Sequence, residues 1–133
     1  MKLLLDTHVW IWSQESPEKL GLQARRLLVD ARSTNHVATV SMLELARLVA
    51  TGDILLNKPL AAWIETAVEE LHADEVAMSR EIATEAYALP GEFHRDPADR
   101  ILASTARLME MTLLTADERL LSYPHVRTLD VRH

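Results

Sequence analysis

The stretch "LLLDTHVWIW", Leu3–Trp12, sets three leucines against an aspartate and follows them with an aromatic-rich run. Lys2–Leu5 is short, apolar and predicts a buried strand. His8–Ser13 predicts the start of a helix, which leaves Asp6 at the carboxyl end of the strand. The apolar run preceding Asp6 is too short for a signal peptide. A strand that ends on an acid and passes directly into a helix is the first half of a βα unit.

The same alternation continues along the chain. Strands are expected at His36–Thr39, Glu75–Met78, Thr112–Leu114 and Arg127–Val131. Helices are expected at Leu20–Ala31, Met42–Thr51, Leu60–Leu71, Ser79–Leu89, Pro97–Met109 and Ala116–Leu121. Strands alternating with amphipathic helices predict an α/β fold, a parallel sheet flanked by helices on both faces. Ligands of such sheets bind beyond the carboxyl ends of the strands. A chain of 133 residues without a linker tract predicts one domain, 1–133.

Bulk chemistry narrows the function. The chain carries 14 basic and 20 acidic residues, net charge −6, which disfavours a nonspecific nucleic-acid coat built on excess Lys and Arg. It leaves open an enzyme that acts on nucleic acid at a local site. Zero cysteines exclude disulfides and thiolate metal sites. No apolar run is long enough for a membrane span, and a cytoplasmic protein is expected.

Four acids fall at strand ends or helix starts. They are Asp6 in "KLLLDTH", Glu44 in "VATVSMLELARL", Asp99 in "RDPADRILAS" and Asp117 in "TLLTADERL". Each alone has an ordinary structural use. Ser41-x-x-Glu44 and Thr115-x-x-Glu118 fit capping boxes, and Asp96-Pro97 fits a cap with proline at the first helical position. Acids in first turns also complement the helix dipole.

Two features go further. At 100° per residue Asp99 falls at the edge of the arc of Leu102, Ala103, Ala106 and Met109, while Arg100, Ser104 and Arg107 point elsewhere. Glu44 likewise shares a row with Leu48. In a parallel sheet all four acids lie at one end, where they repel unless a cation compensates. No lysine follows Lys58, so a divalent cation in an all-oxygen site, Mg²⁺ or Mn²⁺, is the simplest compensation. Such a site supports metal-assisted phosphodiester hydrolysis. There is no G-x-S-x-G, Walker loop or G-x-G-x-x-G to support another chemistry.

Taken in order, "LLLDTHVWIW", "SMLELARL", "LPGEFHRDPADRILASTA" and "LLTADERLLSY" resemble the successive motifs of PIN-domain nucleases, specifically VapC-like ribonuclease toxins of type II toxin–antitoxin pairs. The resemblance spans the chain almost end to end. It implies a PIN-like fold with a parallel five-stranded sheet and a catalytic quartet of Asp6, Glu44, Asp99 and Asp117. Of these, Asp6, Asp99 and Asp117 would hold Mg²⁺ or Mn²⁺, and Glu44 would bind metal or orient the attacking water. Asp96 matches an accessory acid of a "DPxDR" motif, in which Ala98 replaces the usual aromatic. The resemblance also implies an RNA substrate, a cognate VapB-like antitoxin, a homodimer, and operator DNA contacted only through the antitoxin.

Neighbouring residues carry lesser expectations. Thr7 and Thr115 either hydrogen-bond the ligand carboxylates or act as local caps. His94 and Arg95 are expected in a solvated loop and Arg100 in a surface salt bridge, with RNA phosphate as the functional alternative for each. Trp10, Trp12 and Trp63 are expected as core or interface anchors rather than base-stacking platforms. A haloacid-dehalogenase-like phosphatase would need a second aspartate where His8 stands, and both it and a receiver domain would need a late lysine. "HRDPADR" echoes a kinase catalytic loop, but the partner motifs are missing. The non-enzyme alternative is a degenerate PIN domain serving as a binding scaffold.

Overall fold

The computed structural model describes residues 1–133. Five strands, β1 (Lys2–Leu5), β2 (Thr34–Ala38), β3 (Asp74–Val76), β4 (Thr112–Thr115) and β5 (Thr128–Asp130), form one sheet in the order β3-β2-β1-β4-β5. Every pairing is parallel, with Leu4 opposite His36 on one side and Leu113 on the other. The helices are α1 (Thr7–Glu15), α2 (Leu22–Val29), α3 (Thr39–Ala50), α4 (Leu60–Glu70), α5 (Arg80–Glu85), α6 (Pro97–Leu108) and α7 (Glu118–Leu121). None is long and apolar enough to cross a membrane.

The period of two along each strand divides the interior into two cores. Leu3, Leu5 and Leu114 enter one face of the sheet with Val9, Trp10, Leu45, Trp63 and Ala67. Leu4 and Leu113 enter the other with Leu102, Ala106 and Leu120. Both faces of the central strands are therefore apolar, which is why the leucine run of β1 does not alternate with polar residues. Truncating one of these fully buried leucines to alanine costs about 2–5 kcal/mol.

Several boundaries differ from the sequence expectation for local reasons. The helix expected over Leu20–Ala31 is shorter at both ends: a 3-10 turn covers Pro17–Lys19 ahead of it, and α2 runs from Leu22, after Gly21, to Val29. Gly21 donates its N–H to the Val131 carbonyl at 2.7 Å, and a Cβ there would stand 2.0 Å from the His133 carbonyl carbon. α3 starts at Thr39, directly after β2, so Ser41 lies inside the helix and is no cap. The helix expected to reach Leu89 ends at Glu85. There Arg100 takes the Ala86 carbonyl as acceptor, and Leu89 precedes a proline that disfavours helix. The other expected strands and helices stand within a few residues of where periodicity predicts them.

The topology contains one reversal. From β1 the chain builds outward to β2 and β3, then returns to lay β4 on the opposite side of β1. The crevice at the carboxyl ends of β1 and β4 is thus the switch point of the sheet, where α/β folds leave room for a ligand.

Candidate active site

At the switch point the backbone sets the first residues of the site. Asp6 directly follows β1, and its N–H donates to the Leu114 carbonyl of β4 at 3.0 Å. Asp117 lies two residues beyond β4 and caps α7, its carboxylate accepting from Arg119 N at 2.8 Å. The expected Thr115–Glu118 capping box is not formed, because Thr115 ends the strand and Asp117 takes the cap. Asp96 caps α6 by accepting from Asp99 N at 3.1 Å, with Pro97 at the first helical position. Asp99 is then turned inward and buried, as its helical phase predicts.

Asp6, Glu44, Asp96, Asp99 and Asp117 line a single cavity of about 280 Å³ together with His8, Trp12, Ala116 and Arg119. All four acids singled out in the sequence come together. Each is oriented by a neighbour. Thr115 Oγ1 donates to Asp6 Oδ2 at 2.7 Å, and accepts from Asp117 N at 3.0 Å. Thr7 Oγ1 bridges the Ser41 hydroxyl, 2.9 Å away, and Glu44 Oε1. His94 Nε2 meets Asp99 Oδ2 at 2.6 Å. Arg119 reaches Asp117 Oδ2 at 3.2 Å and Asp99 Oδ2 at 3.7 Å.

The electrostatics sort the acids into two kinds. Burial pushes the Asp6 carboxyl above its ordinary range; the Thr115 hydrogen bond opposes this and the Asp99 charge adds to it. Burial likewise raises Asp99, against its His94 hydrogen bond, with the Asp96 charge adding to the rise. Glu44 is raised by burial and by the Asp6 charge, against the Thr7 hydrogen bond. At Asp117 burial is outweighed by the hydrogen bonds from Arg119, and its carboxyl is held below the ordinary range.

Four residues in and around the site escaped the sequence reading or were placed differently. Arg119 is a cation beside two of the acids; a search for lysine passed over it, though it stands two residues after Asp117 in "ADER". His94 is not in a solvated loop but bonded to Asp99, its ring stacked on Phe93 at 4.4 Å. Arg100 makes no surface salt bridge; it donates to the Ala86 and Phe93 carbonyls and ties the loop ahead of α6 to the helix. Ser104, expected to point away from the core, is buried and donates to the Ile82 carbonyl at 2.7 Å. Arg95 is exposed, as expected.

The donor set suits a hard divalent cation: all carboxylate oxygen, with Asp6 and Asp99 buried, mutually repelling and raised in pKa. A cation among them would relieve that repulsion. No three of these side chains stand together at ligating geometry as they are now turned toward their protein partners. Arg119 supplies part of the compensating charge.

Comparison with known proteins adds three kinds of likeness. The PIN domain family model matches residues 3–126. Ribonuclease VapC22 of Mycobacterium tuberculosis is 36% identical over 129 residues, covering 97% of each chain. Among solved structures, VapBC2 from Rickettsia felis bound to a promoter DNA fragment is similar, with a TM-score of 0.73 at 14% identity over 97% of this chain and 98% of that one. DNA-bound VapBC from Salmonella typhimurium is similar at a TM-score of 0.71 and 19% identity, covering 98% of each chain. These two structural likenesses speak for the fold.

Proposed function

Because the chain belongs to the PIN-domain family, we propose that it is a VapC-like endoribonuclease, the toxin of a type II toxin–antitoxin pair. The observation that carries this reading is the gathering of Asp6, Glu44, Asp99 and Asp117 around one cavity at the sheet's switch point. The 36% identity to a ribonuclease over nearly the whole chain supports it.

In this reading Asp6, Asp99 and Asp117 would hold Mg²⁺ or Mn²⁺. An ion held there would lower the pKa of a bound water and offset charge developing on the phosphoryl group. Thr115 orients Asp6 and His94 orients Asp99, holding the two buried carboxylates at the cavity wall, from which they would turn to take the ion. Glu44, held by Thr7 and raised in pKa by burial, orients the attacking water and accepts its proton. The water oxygen bonds to phosphorus as the P–O bond to the leaving nucleotide breaks. Asp96 starts α6 and supports the rim of the cavity.

The partners follow from the same reading: RNA as substrate, a VapB-like antitoxin, a second copy of the chain, and operator DNA only through the antitoxin. The single domain spans 1–133. Cleavage of RNA by the purified chain with and without Mg²⁺ or Mn²⁺ tests the reading, alongside Asp6→Asn and Asp99→Asn. Metal-dependent cleavage lost in both variants is expected. Variants that behave like the wild type would leave a binding scaffold in its place. Co-expression with the neighbouring antitoxin should relieve growth inhibition, and equal toxicity with and without it would count against the pairing.

A further inference from the structure

The three tryptophans do not share one role. Trp10 and Trp63 are 0% and 3% exposed and pack edge to face at 5.3 Å, as core anchors should. Trp12 is only partly buried; its inner side packs on the same core, while the ring also lines the cavity of Asp6, Glu44 and Asp99. We propose that Trp12, with His8 and Lys19 beside it, forms a nucleobase-stacking subsite that holds one base of the RNA strand next to the phosphate to be cut. This deepens the ribonuclease reading and rests on it.

The arrangement is set by helix phase and by the turn that follows. His8 and Trp12 are four residues apart on α1, so they share a face, and their rings lie 6.2 Å apart at 59°. Both rings line the wall of the carboxylate cavity. After α1 the chain turns back at Pro17, and the 3-10 turn carries Lys19 to 5.5 Å from the centre of the Trp12 ring. Lys19 is one of three lysines in the chain, with Lys2 and Lys58.

Charge explains why such a subsite is needed. Five carboxylates line the cavity, so a polyanionic strand gains little there without a cation and must be held from outside it. An exposed aromatic face binds any base, because every base presents a π-face, and the gain is independent of charge. The Lys19 ammonium, resting near the indole, is placed to pass to a backbone phosphate of a strand laid across the ring. A protein ligand stacking on the same ring is the competing occupant, and two cations, Lys19 beside the ring and Arg119 in the cavity wall, favour the nucleic acid.

Two measurements on the full chain test this. In the first, an Asp99→Asn protein is titrated with a short single-stranded oligoribonucleotide while tryptophan fluorescence is followed. Stacking should quench Trp12, since Trp10 and Trp63 are out of reach. Trp12→Phe in that background should remove the quench while still binding, and an abasic strand of equal length should not quench. In the second, Trp12→Leu, which keeps an apolar side chain against the core, should raise KM for RNA roughly tenfold or more with a smaller change in kcat. Lys19→Ala, at an exposed position, should raise KM less.

A quench that survives Trp12→Phe, or an unchanged KM in Trp12→Leu, overturns the subsite. So does a Trp12→Leu protein that cuts RNA normally and loses only its inhibition by the antitoxin. A wild-type protein that cuts no RNA with either metal overturns the ribonuclease reading instead, and the fluorescence titration still reads the subsite by itself.

Discussion

Thr115 at the end of β4 donates its hydroxyl proton to Asp6 at the end of β1, at 2.7 Å and across 109 residues of sequence. The bond spans the switch point of the sheet and sets the direction of one of the site's two buried carboxylates. Thr115 also accepts from Asp117 N at 3.0 Å, so one side chain orients two acids. Thr115→Val keeps shape and removes both bonds. Stability should fall by about 1–3 kcal/mol, the cost of leaving a buried acceptor unsatisfied, and RNA cleavage should fall at least several-fold. Thermal unfolding and cleavage rates measured on the same preparation check both.

Asp6 and Asp99 should cost the metal-free fold stability. Burial raises both pKa values above the ordinary aspartate range, so the folded state binds protons more tightly than the unfolded one. Stability therefore declines as pH rises from about 3.8 through the raised values, and the full penalty stands above them. In a chelator, Asp6→Asn or Asp99→Asn should raise Tm near neutral pH and flatten its decline with pH. A Tm lower than wild type in both variants would contradict the assignment.

Metal should reverse that penalty by mass action. Added Mg²⁺ or Mn²⁺ should raise the Tm of the wild type, the gain in stability being about 2.7 kcal/mol at a hundredfold excess over Kd. The Asp6→Asn, Asp99→Asn double variant should show no such rise. Equal shifts in the two proteins would mean that the ion binds elsewhere.

Asp96 and Asp99 should separate by function. Asn caps a helix as well as Asp, so Asp96→Asn should leave the fold near wild type and alter only the degree of activity. Asp96→Ala should cost about 1 kcal/mol through the lost bond to Asp99 N. Asp99→Asn should abolish metal-dependent cleavage. Similar mild losses in Asp96→Asn and Asp99→Asn would remove the distinction.

Gly21 should tolerate no side chain. A Cβ there would lie 2.0 Å from the His133 carbonyl carbon and 2.2 Å from its oxygen. Gly21→Ala should therefore lower Tm by displacing the chain after β5, whose Val131 carbonyl accepts from Gly21 N. Because Gly21 lies outside the acid cavity, the protein that remains folded should cut RNA at the wild-type rate.

Much of the fold was legible because its signals are local. Apolar runs such as Leu3–Leu5 and Leu113–Leu114, each followed by an acid and a helical period, mark βα units wherever they pack. The phase of Asp99 against Leu102 and Ala106 marked an acid turned inward before any contact was known. What failed were readings that needed a partner distant in sequence. Ser41 looked like a cap, but α3 starts directly on β2 and takes Ser41 inside, against Thr7. Gly21 delays the start of α2 because it is held against carbonyl groups more than a hundred residues later.

By itself, then, the sequence determined the parallel α/β class, the strand-end positions of Asp6 and Asp117 and the helices that carry Glu44 and Asp99, since periodicity and capping act within a few residues. Only the tertiary structure decided the strand order that brings β4 beside β1, and with it the cavity. It also decided that His94 and Arg119, not lysines, stand against Asp99, and that Trp12 lines the site while Trp10 and Trp63 fill the core. Three tryptophans of similar sequence surroundings take different roles because burial is fixed by what packs opposite each ring. That is a property of the assembled sheet and helices, which no local pattern records.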